Sequence, residues 1–345
     1  MKKTILVTGG AGFIGSNFVR YIYNKYPDYR VIILDALTYA GSVENLPVNI
    51  NEQSGERLVF WYGNVRNGEL VDTLVSQSDV VVHFAAETHV TRSIYDNFLF
   101  FETDVMGTQT VANSILKYRD KVERFIHVST SEVYGTARKE LMDEDHPLFP
   151  MSPYAAAKAG ADRLVYSYWA TYEMPIVIVR PFNNFGPYQH LEKVIPRFIT
   201  SCILNEPLRI HGDGSAARDF IYVEDVCRAI DLIMHVNMNQ VNGEVFNVAS
   251  GNHRSILSIA RDVIKLMNKD ESLITFIGDR PGQVFRHTGD IKKIQNFFPW
   301  QPEISWLEGL ERSIEWYKNN RPWWEKQLWM RSVPIITKSG KKELH

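Results

Sequence analysis

The chain has 345 residues, 45% of them hydrophobic and 23% charged, with a formal net charge of −2. That balance suits a globular protein with one large α/β domain or two unequal ones. It offers no polybasic run for nucleic acid or a membrane surface, and no stretch approaches the roughly 18 uninterrupted apolar residues of a membrane span.

In chain order, TILVT (4–8) reads as a strand and FIGSNFVRYIYNKY (13–26) has helical spacing. VIILD (31–35), LVFWYG (58–63) and DVVVHFAA (79–86) read as strands, 99–118 as a helix, and RFIHVST (124–130) as another strand. These Val/Ile runs are continuous rather than alternating, which predicts a parallel sheet covered on both faces. The β-α-β rhythm makes it a doubly wound, Rossmann-type α/β sheet. SPYAAAKAGADRLVYSYWATY (152–172) is a long helix with Ser152 as cap and Pro153 at its first position, and PIVIVR (175–180) is one more strand. From 182 to about 320 the chain is rich in Gly, Pro, Asn and Arg, the composition of a smaller mixed α/β lobe that holds a polar ligand. Some of its segments are expected to cross back to the first domain. The remainder, 321–345, carries Trp323, Trp324 and Trp329. It reads as an extension stapled to the body by aromatic burial, the alternative being a subunit contact or a lid. The N-terminus has no signal-peptide pattern, and Cys202 and Cys227 are isolated. Both observations predict a cytoplasmic protein. The ten His and the carboxylates show no tight metal-ligand spacing.

TGGAGFIG places Gly9, Gly12 and Gly15 directly after a strand and at the opening of a helix. Glycines there let the backbone turn tightly and approach a pyrophosphate, to which the helix N-terminus offers N–H donors. Asp35 ends the next strand, 20 residues after Gly15. A carboxylate at that point hydrogen-bonds ribose hydroxyls and repels a 2′-phosphate, so the predicted cofactor is NAD rather than NADP.

The stretch VSTSEVYG (128–135) puts hydroxyls beside a carboxylate at a strand end, and Tyr154 and Lys158 share one face of the long helix. An ammonium and a positive nicotinamide ring would lower the phenol's pKa, ordinarily about 10, so that it can take a proton from a sugar hydroxyl.

Together, TGGAGFIG, the Thr130 strand end, YAAAK and Asp35 resemble the extended short-chain dehydrogenase/reductases. Further stretches, among them DALTYAGSVENL, HFAAETHVTRSI, FETDVMGT, NNFGPYQHLEKVIP, GDGSAARDFIYVEDV and DRPGQ, resemble the nucleotide-sugar 4,6-dehydratases, especially those acting on dTDP-glucose. The resemblance implies a hydro-lyase that oxidises C4 of the sugar, eliminates water across C5 and C6, and returns the hydride to C6. It implies catalytic roles for Thr130, Ser131, Glu132, Tyr154 and Lys158. It places Phe13, Ile14, Leu37, Thr38, Asn64, Val65, Phe84, Ala85, Ala86, Thr103 and Asn184 around NAD. Thr88, Asn183, Lys193, Val194, Arg218 and Arg280 fall around the nucleotide sugar, and the family expectation is a homodimer through 99–118 and 152–172.

One position departs from the pattern. The dTDP-glucose enzymes carry Thr-Asp-Glu, whose Asp protonates the leaving C6 hydroxyl, whereas this chain has Thr130-Ser131-Glu132. The GDP-mannose dehydratases and the UDP-glucuronate decarboxylases also carry Thr-Ser-Glu. Glu132 or a water could supply the proton, or the reaction is not dehydration. A decarboxylase, a 4-epimerase and a non-catalytic NAD sensor therefore stand as alternatives. The stretches AETHVTRS and DALTYAG side with the dehydratases, Glu132 argues against simple epimerisation, and intact Tyr154 and Lys158 argue against the sensor.

Overall fold

The computed structural model describes residues 3–49, 55–278 and 284–332, together with the backbone of 334–336 and 342–344. Strands β1 (Thr4–Thr8), β2 (Arg30–Asp35), β3 (Leu58–Tyr62), β4 (Val80–His83), β5 (Arg124–Val128) and β6 (Ile176–Pro181) are followed by β7 (Asn183–Phe185), β8 (Leu208–His211), β9 (Ala217–Tyr222), β10 (Val245–Val248), β11 (His253–Ser255) and β12 (Ile274–Ile277). Seven of them form one sheet in the order β10-β6-β5-β4-β1-β2-β3, with every neighbouring pair parallel. β1 lies between β2 and β4, so successive crossovers leave it in opposite directions. The crevice at the carboxyl ends of β1 and β4 is where such a sheet takes a ligand.

The continuous apolar strands are explained by burial on both faces. Ile5 and Val7 of β1 pack with Phe18 and Ile22 of the helix Phe13–Lys25 and with Val226 and Ile230 of the helix Val223–His235. Leu6, pointing the opposite way, packs with Val71, Leu74, Val111, Ile115 and Val165. The helix Gly68–Val75 supplies Val71 and Leu74 and is capped by the Asn67 side chain, which accepts the Leu70 N–H. The sequence reading did not assign this helix, whose eight residues carry only two turns of periodicity.

The helix expected over 99–118 is present in three parts: a turn Phe98–Phe100, a wider π-helical segment Phe101–Gly107, and an α-helix Thr108–Lys117. The wider turn buries both Thr103 and Asp104, and the Thr108 hydroxyl donates to the Asp104 carbonyl at 2.5 Å. Such segments recur at functional sites.

The helix Pro153–Tyr172 starts as predicted, with Ser152 accepting the Ala155 N–H at 3.1 Å. Asp162 on this helix and Arg180 on β6 fasten it to the sheet through two hydrogen bonds of 2.9 Å. Burial opposes ionisation of Asp162, but the Arg180 guanidinium outweighs it and holds the carboxyl well below its usual range. Asp162→Asn is therefore expected to cost about 3–5 kcal/mol, because it strands a buried guanidinium. Urea unfolding of variant and wild type measures this. A carboxyl whose folded pKa is depressed stabilises at pH values above its unfolded pKa of about 3.9, and its contribution fades as pH falls below that.

The later residues form a three-stranded sheet, β11-β9-β7, and a parallel pair, β12-β8. A second core gathers Phe185, Phe198, Ile259, Val263, Leu310 and Tyr317. β10 crosses back to pair with β6 in the large sheet. Trp324 is fully buried and donates its indole N–H to the Tyr317 carbonyl, while Trp323 donates to the Asn45 side chain at 2.8 Å. Aromatic burial thus staples the start of the tail to the body, although Trp329 stays exposed.

Candidate active site

All the residues picked from the sequence except Leu37 and Arg280 line one continuous cleft along the carboxyl ends of β1, β2, β4, β5 and β6. Arg280, with the rest of DRPGQ, lies outside the described residues. Leu37 lies beside the cleft between Asp35 and Thr38, with φ 47°, and its backbone N–H is donated to Asp35 at 2.8 Å. That hydrogen bond helps fix the acid.

The glycine turn is built for close approach. Gly9 has φ +71°, and a Cβ there would meet the Ala85 nitrogen at 2.6 Å. A Cβ on Gly15 would meet the Gly9 oxygen at 2.2 Å. Bare backbone at both positions leaves the N-terminus of the helix Phe13–Lys25 open to the cleft, the fit a diphosphate requires. Asp35 is buried and also accepts the Ala11 N–H at 2.9 Å, which ties the acid to the glycine turn. Burial raises its pKa, partly offset by these backbone donors.

At the reaction centre the chain leaves the sheet after Val128, two residues earlier than the predicted strand, because Thr130 caps a short helical turn, Ser131–Tyr134. The Thr130 side chain accepts the Glu132 N–H at 3.2 Å and is hydrogen-bonded to Tyr154. Lys158 is buried and donates to the Val128 carbonyl at 2.9 Å. The Ser93 hydroxyl accepts the Tyr154 N–H at 3.1 Å, fixing the start of the helix.

The protein's own groups set the starting electrostatics of the pair. Burial, reinforced by the Asp104 charge, pushes the Tyr154 phenol above its ordinary pKa, with Thr130 opposing. Burial also pushes Lys158 down, and Asp104 pulls it back up. The protein's own groups thus raise the phenol, and the lowering expected from the ammonium and the nicotinamide ring together concerns the cofactor-bound site. Asp104 is the residue that sequence reasoning missed here. Burial raises its carboxyl well above the usual carboxylate range, against the pull of Lys158, while one oxygen accepts the Glu87 N–H at 2.8 Å. It lay within the quoted FETDVMGT, but no spacing singled it out.

Arg218 on β9 shares the cleft with Arg197, Arg209 and His211, three residues not picked from the sequence. Burial, and then the neighbouring Arg331 and Arg209, lower Arg197 to about 10. Crowded guanidiniums of this kind favour an anion such as a diphosphate. Lys193 donates to the Thr88 carbonyl at 3.0 Å and pairs with Glu192 at 3.3 Å. The Tyr39 hydroxyl also donates to Glu192, at 2.9 Å. Thr88 and Lys193 are thus brought together across the cleft.

The family model described as GDP-mannose 4,6 dehydratase matches residues 6–313. The low-salt glycan biosynthesis protein Agl12 of Haloferax volcanii is 45% identical, over 91% of this chain and 98% of that protein. The dTDP-glucose 4,6-dehydratase of Streptomyces niveus is 39% identical, over 93% of this chain and 94% of its own. The crystal structure of DesIV, a dTDP-glucose 4,6-dehydratase from Streptomyces venezuelae solved with NAD bound, superposes with a TM-score of 0.87 at 39% identity, covering 94% of this chain and 99% of that one. The chain therefore belongs to the GDP-mannose 4,6 dehydratase family of the extended short-chain dehydrogenases/reductases.

Proposed function

We propose that this protein is an NAD-dependent hydro-lyase that converts a nucleotide-activated hexose, dTDP-glucose or a close relative, to its 4-keto-6-deoxy derivative. The observation that carries this reading is the meeting of Thr130, Glu132, Tyr154 and Lys158 with the dinucleotide cradle in one cleft. Bound NAD would accept hydride from C4 and return it to C6, and it would be held by the glycine turn, Asp35 and Lys158. Tyr154 takes the C4 hydroxyl proton, and Thr130 orients the C4 oxygen through its hydroxyl. The C4 ketone acidifies the C5 hydrogen, which Glu132 removes as C6 loses its hydroxyl. Arg218 and its neighbours hold the diphosphate.

Incubation without added NAD, with dTDP-glucose, UDP-glucose, UDP-N-acetylglucosamine, GDP-mannose and UDP-glucuronate, followed by mass spectrometry, tests the reading. Loss of one water from a hexose substrate supports it. Loss of carbon dioxide from the glucuronate alone would replace it with a decarboxylase, and an unchanged mass with inverted C4 with an epimerase.

The same reading makes the protein a cytoplasmic homodimer of deoxysugar biosynthesis. Phe98, Phe101 and Met106 from one helical segment, and Tyr166 and Tyr172 from the long helix, are exposed apolar side chains that a second copy would cover. Light scattering is expected to give twice the chain mass, and replacing Phe98 and Met106 by Glu to halve it.

A further inference from the structure

Ser131 stands where the relatives it resembles place an acid, and a serine hydroxyl alone is too weak an acid to release water. The side chain that reaches it comes from 156 residues further along. His287 is fully buried, with Nδ1 at 3.4 Å from the Ser131 hydroxyl and 4.0 Å from Glu132 Oε1. Its Nε2 lies 2.6 Å from the Gly135 carbonyl. A carbonyl only accepts, so Nε2 carries the hydrogen, and Nδ1 of the neutral ring is a lone pair facing both Ser131 and Glu132. Ser131 and Glu132 line the cleft and His287 sits behind them, away from bulk water.

We propose that His287 is a proton-relay positioning residue that, through Ser131, returns to the leaving C6 oxygen the proton Glu132 takes from C5. The inference rests on the dehydration reading above. The C5–H bond breaks, its proton goes to the Glu132 carboxylate, and the electron pair is shared with the C4 ketone. The Glu132 proton passes to His287 Nδ1. The imidazolium gives it to Ser131 Oγ as the Ser131 proton moves to the C6 oxygen. The C6–O bond breaks with formation of the C5–C6 double bond, and water leaves. Glu132, His287 and Ser131 end in their starting states, so no outside acid is needed. Catalytic contacts of this length commonly close to hydrogen-bond distance in a Michaelis complex.

The surroundings keep Nδ1 available. Burial pushes the imidazole down to about 4, with Arg218 on β9 and His146 acting the same way, while Glu132 and the Gly135 carbonyl act against them. At neutral pH the ring is therefore neutral and ready to accept.

The test uses the NAD-bound full chain and the substrate whose water loss the wild type catalyses. Single-turnover absorbance of bound NADH reports C4 oxidation, and mass spectrometry reports water loss. His287→Gln and Ser131→Ala are expected to slow water loss about 10²-fold with C4 oxidation and KM near wild type, so that bound NADH accumulates. Ser131→Asp in the His287→Gln background is expected to recover at least a tenth of the lost rate. Were His287→Gln not to fold, Ser131→Ala decides by itself, since it removes only a hydroxyl. Water loss at the wild-type rate in either single variant would overturn the relay. So would oxidation and water loss falling in proportion, or a folded double variant as slow as His287→Gln. A wild type that removes water from no activated hexose would instead refute the dehydration reading itself.

Discussion

Replacing Tyr154 by Phe is expected to lower turnover by about 10²–10⁴-fold with little change in KM. The hydroxyl is the only group lost. The ring keeps its edge contact with Phe100 and its place in the core beside Ala157, so folding and binding should survive. On the proposed mechanism, what disappears is the proton acceptor at C4, together with its hydrogen bond to Thr130. C4 oxidation precedes every later step, so NADH formation and water loss should fall together. Measuring both on one substrate checks this, and NADH forming at the wild-type rate would remove Tyr154 from the role. Because burial and Asp104 raise the phenol's pKa, the base form grows with pH, and kcat/KM should climb from neutral into alkaline solution rather than fall.

Glu132→Gln should separate the two halves of the reaction. The amide keeps the size and the backbone N–H that Thr130 accepts, but it cannot take a proton from C5. C4 oxidation should continue while water loss drops by about 10²–10⁴-fold, leaving the coenzyme reduced on the enzyme. The Glu132 side chain is one-fifth exposed, facing the cleft, so the substitution should leave stability nearly untouched. If Glu132→Gln eliminates water normally, the base at C5 lies elsewhere, and the relay through His287 loses its source.

The strands of the large sheet were legible because each is buried on both faces and therefore reads as an unbroken apolar run. The dinucleotide cradle was legible for a local reason: strand, glycine turn, helix and Asp35 all fall within the first 35 residues. The short helix Gly68–Val75 escaped because two turns of periodicity compete poorly with loop composition. The strand expected through Thr130 stops at Val128 because a side-chain cap, which hydropathy does not register, turns the chain away.

By itself the sequence determined the Rossmann-type sheet, the helix that carries Tyr154 and Lys158, and the motif residues of the cleft, since each depends on spacing within one element. Only the tertiary structure decided the environment of those residues. Asp104 meets Lys158 because a π-helical turn buries it, and Arg209 and His211 join Arg218 because β8 runs beside the cleft. His287 comes to lie behind Ser131 as the chain returns past β9, where its N–H is donated to the Ala217 carbonyl. Burial and long-range proximity set the charge state of a side chain, and neither is written in the order of neighbouring residues.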